Sequence, residues 1–315
     1  MRDVRWRTAL TVAFTGAVVV FGFQALRQQW SAVATLRATT TPDWGRIVTA
    51  SALVLVSYLV LILTWRATVR AWGETLAIRP GARIWFVSNL GRYVPGKVWQ
   101  IGAMGVMAQQ AGVSAVAAVG SSLVVSLVNV IVGFGVVAAT GLAMLRTLVP
   151  VGTPLVPVLG VVLIATLGTP WILPWAATVV TRLTGRQITI SRLPARAVWI
   201  AAAGSAVGWL LYGLAFHGLT IGLLGHATGD ARSSIAIFTL SYLAGFLALI
   251  APGGIGVREV VMAGLLTGSG GASATEATWL VLASRLWLTI LEVLPGLLLL
   301  LLPRRSGVAP TARAT

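Results

Sequence analysis

Two short tracts place positive charge inside apolar sequence. The first, Asn89-Leu-Gly-Arg-Tyr-Val-Pro-Gly-Lys-Val-Trp99, carries Arg92, Tyr93 and Lys97, and Lys97 is the single lysine among 23 basic residues. The second, Ala251-Pro-Gly-Gly-Ile-Gly-Val-Arg-Glu259, carries Arg258 and Glu259. A charge near the centre of a bilayer costs about 2.5–3.5 kcal/mol on insertion scales, so it persists only with a partner or in a cavity. Proline removes an amide donor and crowds the preceding turn, so each Pro-Gly pair ends one helical arm and starts another. The new arm points its first amides and the positive end of its dipole into the break. Lys97 and Arg258 fall in the first turns of those arms, where a cation is unfavourable unless an anion is held between it and the amides. Phosphate is the expected anion, gripped by the arginine fork and by the lysine point charge, with Arg92 closing from the preceding arm. The plainer alternative is that these cations snorkel to the interface and touch lipid headgroups incidentally.

Further polar residues recur at helical spacing. Arg285, Thr289 and Glu292 share one face of the last apolar segment, and Ser122, Ser126, Asn129 and Gly133 share one face of an earlier one. Both stripes are expected to face the breaks, although small and hydroxyl residues also serve ordinary helix packing. Glu259 either neutralises the adjacent Arg258 or is a carboxylate that takes up a proton when the site empties, with structural pairing preferred. The expected substrate-binding residues are therefore Asn89, Arg92, Tyr93, Lys97, Asn129, Arg258, Glu259, Arg285 and Glu292. Cofactors and metals are not expected, because His217, His226 and the seven acids show no metal-ligand spacing and cysteine is absent. Gly120-Ser-Ser122 with His217 is a weak echo of an intramembrane serine protease. The 13 tryptophans, including Trp6, Trp44, Trp65 and Trp72 near span ends, suit an interfacial belt.

The elements that position these residues follow from composition. With 57% hydrophobic and 10% charged residues, the chain reads as an all-α polytopic membrane protein. Its net charge of +16 is scattered between apolar runs, which argues for topology signals and anionic lipid contacts rather than nucleic acid. Six spans are expected: Thr8–Leu26, Arg46–Trp65, Ser114–Leu145, Pro154–Val180, Arg196–Leu224 and Ala274–Leu302. The first is read as an uncleaved span rather than a signal peptide. Two broken segments, Ile84–Ala108 and Ser233–Thr267, are expected as re-entrant hairpins, with an eight-span arrangement as the alternative if Ser233–Ile250 crosses fully. With both termini cytoplasmic, fourteen basic residues fall inside, five outside and four at membrane depth. Pro95 and Pro252 are 157 residues apart, and the same offset brings the first three spans near the last three. The chain thus divides into a membrane repeat over 1–150, with the Pro95-Gly96 break, and an inverted one over 151–315, with the Pro252-Gly253 break. Broken helices meeting at the midplane of inverted repeats are the layout of alternating-access carriers.

The tract Arg92-Tyr-Val-Pro-Gly-Lys-Val-Trp99, the following Gly112-Val-Ser114, and Pro252-Gly-Gly-Ile-Gly-Val-Arg-Glu259 together resemble the flippase-like family that includes the transmembrane domain of lysylphosphatidylglycerol synthase. The likeness spans most of the chain. It implies a multi-pass protein of the bacterial cytoplasmic membrane that moves an anionic or lipid-linked headgroup between leaflets, polyprenyl-phosphate or its sugar conjugates among the suspected cargoes. Full synthases carry a soluble aminoacyl-transferase domain after the membrane part, whereas this chain stops at Thr315, so lysyl-lipid synthesis is not expected. The leading expectation is a non-enzymatic flippase or scramblase for polyprenyl-phosphate or a polyprenyl-phosphate-linked sugar. Alternatives are an aminoacyl-phosphatidylglycerol or other phospholipid flippase, a non-transporting membrane subunit of a glycosyltransferase, and an intramembrane lipid-phosphate enzyme. The expected partners are the anionic lipid, the membrane, and either a glycosyltransferase or further copies of the chain.

Overall fold

In the computed structural model, residues 41–93, 98–148, 160–161, 164–168, 171, 194–248, 254 and 256–301 are described, and these are helices and their connections. The elements are α1 (Trp44–Ala71), α2 (Ile78–Asn89) followed by a 3-10 turn (Leu90–Tyr93), α3 (Val98–Gln110), α4 (Ala115–Leu148), α5 (Ala195–Leu224), α6 (Ala231–Leu247), α7 (Val257–Gly268) and α8 (Ala274–Leu301). Four of them, α1, α4, α5 and α8, are long and apolar enough to cross a membrane. They fall on four of the six expected spans. The expected span Thr8–Leu26 lies outside the described residues, as does most of Pro154–Val180.

Local chemistry sets the ends of these helices. Asp43 accepts from the Arg46 amide at 3.1 Å at the start of α1, and Asp230 accepts from the Ser233 amide at 2.8 Å at the start of α6. Gly225, at φ 78°, supplies the left-handed residue that stops α5. Arg66, one of the basic residues read as a topology signal, also donates to the Leu76 carbonyl at 2.9 and 2.7 Å and so pins the α1–α2 connection.

The centre of the molecule is the packing of α1 on α5. Asp43 donates its amide to the Gly222 carbonyl, Ala50 meets Gly218, Ser57 donates to the Gly208 carbonyl and Thr64 meets Gly204, so residue numbers rise on one helix as they fall on the other. The two helices are therefore antiparallel. Glycine makes their approach close, because at Gly204 an added Cβ would collide with the Thr64 side chain. Around this pair, α4 packs on α6, and α8 packs on α2.

Two contacts join residues that flank the broken segments. In the first half, Ser114 after α3 donates its amide to Glu74 before α2 at 3.3 Å, over a buried cluster of Trp65, Val69, Leu76, Ile84, Met104, Ala108, Val113 and Ala118. In the second half, His226 before α6 meets Glu276 after α7 at 3.0 Å, and Gly271 lies against the Thr228 carbonyl. Since α1 and α5 are antiparallel, the Glu74–Ser114 and His226–Glu276 contacts lie beyond the C-terminal ends of helices that run in opposite directions. Twelve-residue helices such as α2 and α7 are about 18 Å long, too short for a core of about 30 Å.

Candidate functional site

A cavity of about 220 Å³ lies where the broken pairs meet the long helices. Its second-half wall starts at a glycine contact. An added Cβ on Gly254 would fall 2.7 Å from the Gly245 Cα, and Gly254 has φ +70°, so only glycine permits this approach of the second break to α6. That approach brings Arg258, in the first turn of α7 and 7% exposed, onto α6. Its guanidinium lies 5.2 Å from the Phe238 ring centre and 5.1 Å from that of Tyr242, rings four residues apart on one helical face.

Glu259 has a different partner from the expected Arg258. One carboxylate oxygen accepts from the Gly256 amide at 2.6 Å, and the other faces Arg285 Nη1 at 3.3 Å. The reason is helical direction: consecutive residues at an α7 N-terminus diverge, so Arg258 turns to α6 while Glu259 caps its own helix and reaches α8. Glu259 thereby aligns Arg285, which lines the cavity, and is not itself a lining residue. Thr289 and the buried Glu292 line the same cavity as Arg285, as their spacing predicts. The Thr289 hydroxyl donates to the Arg285 carbonyl at 2.8 Å.

From the first half come Asn89, Ser122, Ser126 and Asn129. Gln100 on α3 donates to the Asn89 side chain at 2.5 Å across the first break, a link the sequence reading did not include. Gly133 instead makes room for Trp209, whose indole donates to the Asn129 carbonyl at 2.9 Å. Of the nine expected site residues, Asn89, Asn129, Arg258, Arg285 and Glu292 are thus brought together. Arg92 and Tyr93 lie in the 3-10 turn that leads into the first break, and their side chains are outside the described structure, as is Lys97 entirely.

The aromatic lining was missed. Tyr58, Trp65, Trp85, Trp209, Tyr212, Tyr242 and Phe246 all border the cavity. Trp65, expected in an interfacial belt, is 1% exposed, and Trp72 packs against Gly120, whereas Trp44 is 69% exposed. The legible signal was spacing: Tyr58 and Trp65 are seven apart on α1, and Trp85 is one turn before Asn89. His217 meets Ser234 at 3.0 Å, and among the described residues no group of three metal-ligating side chains occurs.

Apolar helices of spanning length around a polar, cation-bearing cavity define a multi-pass helical membrane protein. Residues 8–296 match the family described as Lysylphosphatidylglycerol synthase TM region, and the chain belongs to that family, a membrane domain associated with lipid-related membrane proteins. No curated protein matches the chain.

Proposed function

We propose that the protein is a lipid flippase or scramblase whose cavity takes the phosphate of an anionic lipid while the tails remain in the bilayer. The single observation that carries this reading is the placement of Arg258, buried at a helix start on the wall of a cavity lined from both halves of the chain. A guanidinium held there by two aromatic rings is oriented before any ligand arrives, and a helix start supplies amides to the same anion. Arg285, held by Glu259, is the second cation. Polyprenyl-phosphate, or a polyprenyl-phosphate-linked sugar, is the proposed cargo; transport rather than catalysis is the proposed activity. Membership of a lipid-associated membrane family supports a lipid cargo.

The proposed mechanism is alternating access by an inverted repeat with two re-entrant hairpins. Antiparallel α1 and α5, the Glu74–Ser114 and His226–Glu276 contacts beyond their C-terminal ends, and the packing of α4 on α6 and of α8 on α2 support it. The first break would open to the cytoplasm of a bacterial cell and the second to the outside, with both termini cytoplasmic.

The test is reconstitution in proteoliposomes with radiolabelled polyprenyl-phosphate, an impermeant phosphatase reporting arrival in the outer leaflet. Arg258→Ala and Lys97→Ala are each expected to slow arrival by about tenfold or more, the loss of a charge-assisted hydrogen bond, while elution in detergent stays monodisperse. Unchanged arrival in both variants overturns the assignment.

A further inference from the structure

Among the described residues, the two halves give the cavity unlike walls. Its ionised lining groups among them, Arg258, Arg285 and Glu292, all belong to α7 and α8. The described polar side chains that line it from the first half are neutral instead, among them groups of α2, α3 and α4. Asn89 and Gln100 meet at 2.5 Å, which fixes two amides side by side on the wall, and Asn129 adds a third. Trp85, one turn before Asn89, starts a series of ring contacts: 5.4 Å to Tyr58, 5.9 Å from Tyr58 to Tyr212 and 6.5 Å from Tyr212 to Tyr242, over which Arg258 lies. A continuous aromatic strip therefore joins the amide wall to the arginine.

A phosphate by itself uses the arginine end of this arrangement. The amide end has other chemistry. An amide offers donor and acceptor in one group and so matches a hydroxyl, which is also both. An indole or phenol face carries negative charge, and the C–H bonds of a saturated ring present positive hydrogens to it. Amides beside aromatic faces thus suit a neutral ring bearing several hydroxyls. A cationic headgroup fits poorly, because the described ionised lining holds two arginines against one carboxylate.

We infer that the cavity is a two-part site, in which α7 and α8 hold a phosphate and Trp85, Asn89, Gln100 and Asn129 hold a sugar joined to it, so that the cargo class is a glycosyl phosphate lipid. This rests on the reading of Arg258 as a phosphate ligand, and it selects the sugar-bearing cargo over both the bare phosphate and the aminoacylated lipid.

The experiment titrates the purified full-length protein in detergent calorimetrically with three short-chain probes: citronellyl phosphate, mannosyl citronellyl phosphate and dioctanoyl lysylphosphatidylglycerol. The mannosyl probe is expected to bind about tenfold more tightly than the plain phosphate, the increment of one or two net hydrogen bonds. Gln100→Leu and Asn129→Leu should each erase that preference, whereas Arg258→Gln weakens binding of both citronellyl probes. Equal wild-type affinity for the two citronellyl probes, a preference that survives both leucine variants, or tightest binding of the lysyl lipid overturns this inference and leaves the phosphate site standing. Binding of neither citronellyl probe overturns both.

Discussion

Arg258 and Glu259 are chain neighbours with unlike tasks. The arginine is spent on two rings and the cavity, while the glutamate closes the first turn of α7 and fixes Arg285 on the neighbouring helix. Both members of that ion pair are largely shielded, at 11% and 20% side-chain exposure, so loss of one leaves the other with a desolvated charge. Glu259→Gln is therefore expected to lower stability by about 1–3 kcal/mol, read as a drop in the thermal denaturation midpoint in detergent. The double variant Glu259→Gln with Arg285→Gln should recover part of this, with a coupling energy of about 0.5–3 kcal/mol. Strict additivity of the two single variants would show that the contact carries no structural weight.

Helix packing here depends on positions where a methyl group has no room. At Gly213 an added Cβ would stand 2.5 Å from the Cα of Ile235, backbone that cannot swing aside, so α5 and α6 would have to separate. Gly213→Ala is expected to cost about 1–3 kcal/mol, whereas Gly264→Ala, which meets nothing within 4 Å, should be neutral or better by the same assay. Gly245→Ala meets Arg258 Cβ at 2.9 Å and should impair transport more than stability, because it displaces the arginine from its rings. At the start of α6, Asp230 is exposed, and hydrogen bonds from the Ser233 hydroxyl and amide hold its carboxyl below the usual 3.8. A depressed folded-state value means the cap stabilises fully above the unfolded value and is lost as pH falls through the folded one. Denaturation midpoints of the wild type and Asp230→Ala should thus differ at neutral pH and converge as pH falls through the depressed folded-state value.

At the scale of the whole molecule, the proposed inverted repeat puts the Glu74–Ser114 and His226–Glu276 contacts at opposite faces of the membrane, with the cavity between them. The absence of cysteine from the chain makes the arrangement directly testable. Gln110→Cys, at the end of α3, and Ala227→Cys, before α6, are both exposed. An impermeant maleimide is expected to label them from opposite faces of the membrane, Gln110→Cys from the cytoplasmic one. Labelling of both from one face would remove the inverted repeat and, with it, the alternating-access mechanism.

Solvent class and helix content were determined by sequence alone, because hydrocarbon accepts a backbone only when its hydrogen bonds close locally. For the same reason the stripes Arg285–Glu292 and Ser122–Asn129 could be assigned to a cavity: a helical face is fixed by spacing, and polar faces avoid lipid. Which cation meets which carboxylate was not legible, since Arg258 and Glu259 diverge by a turn angle whose outcome depends on where α6 and α8 stand. The aromatic strip was hidden for a related reason. Tyr58, Trp85, Tyr212 and Tyr242 come from four helices, and only their packing through close glycine contacts turns those rings toward one cavity.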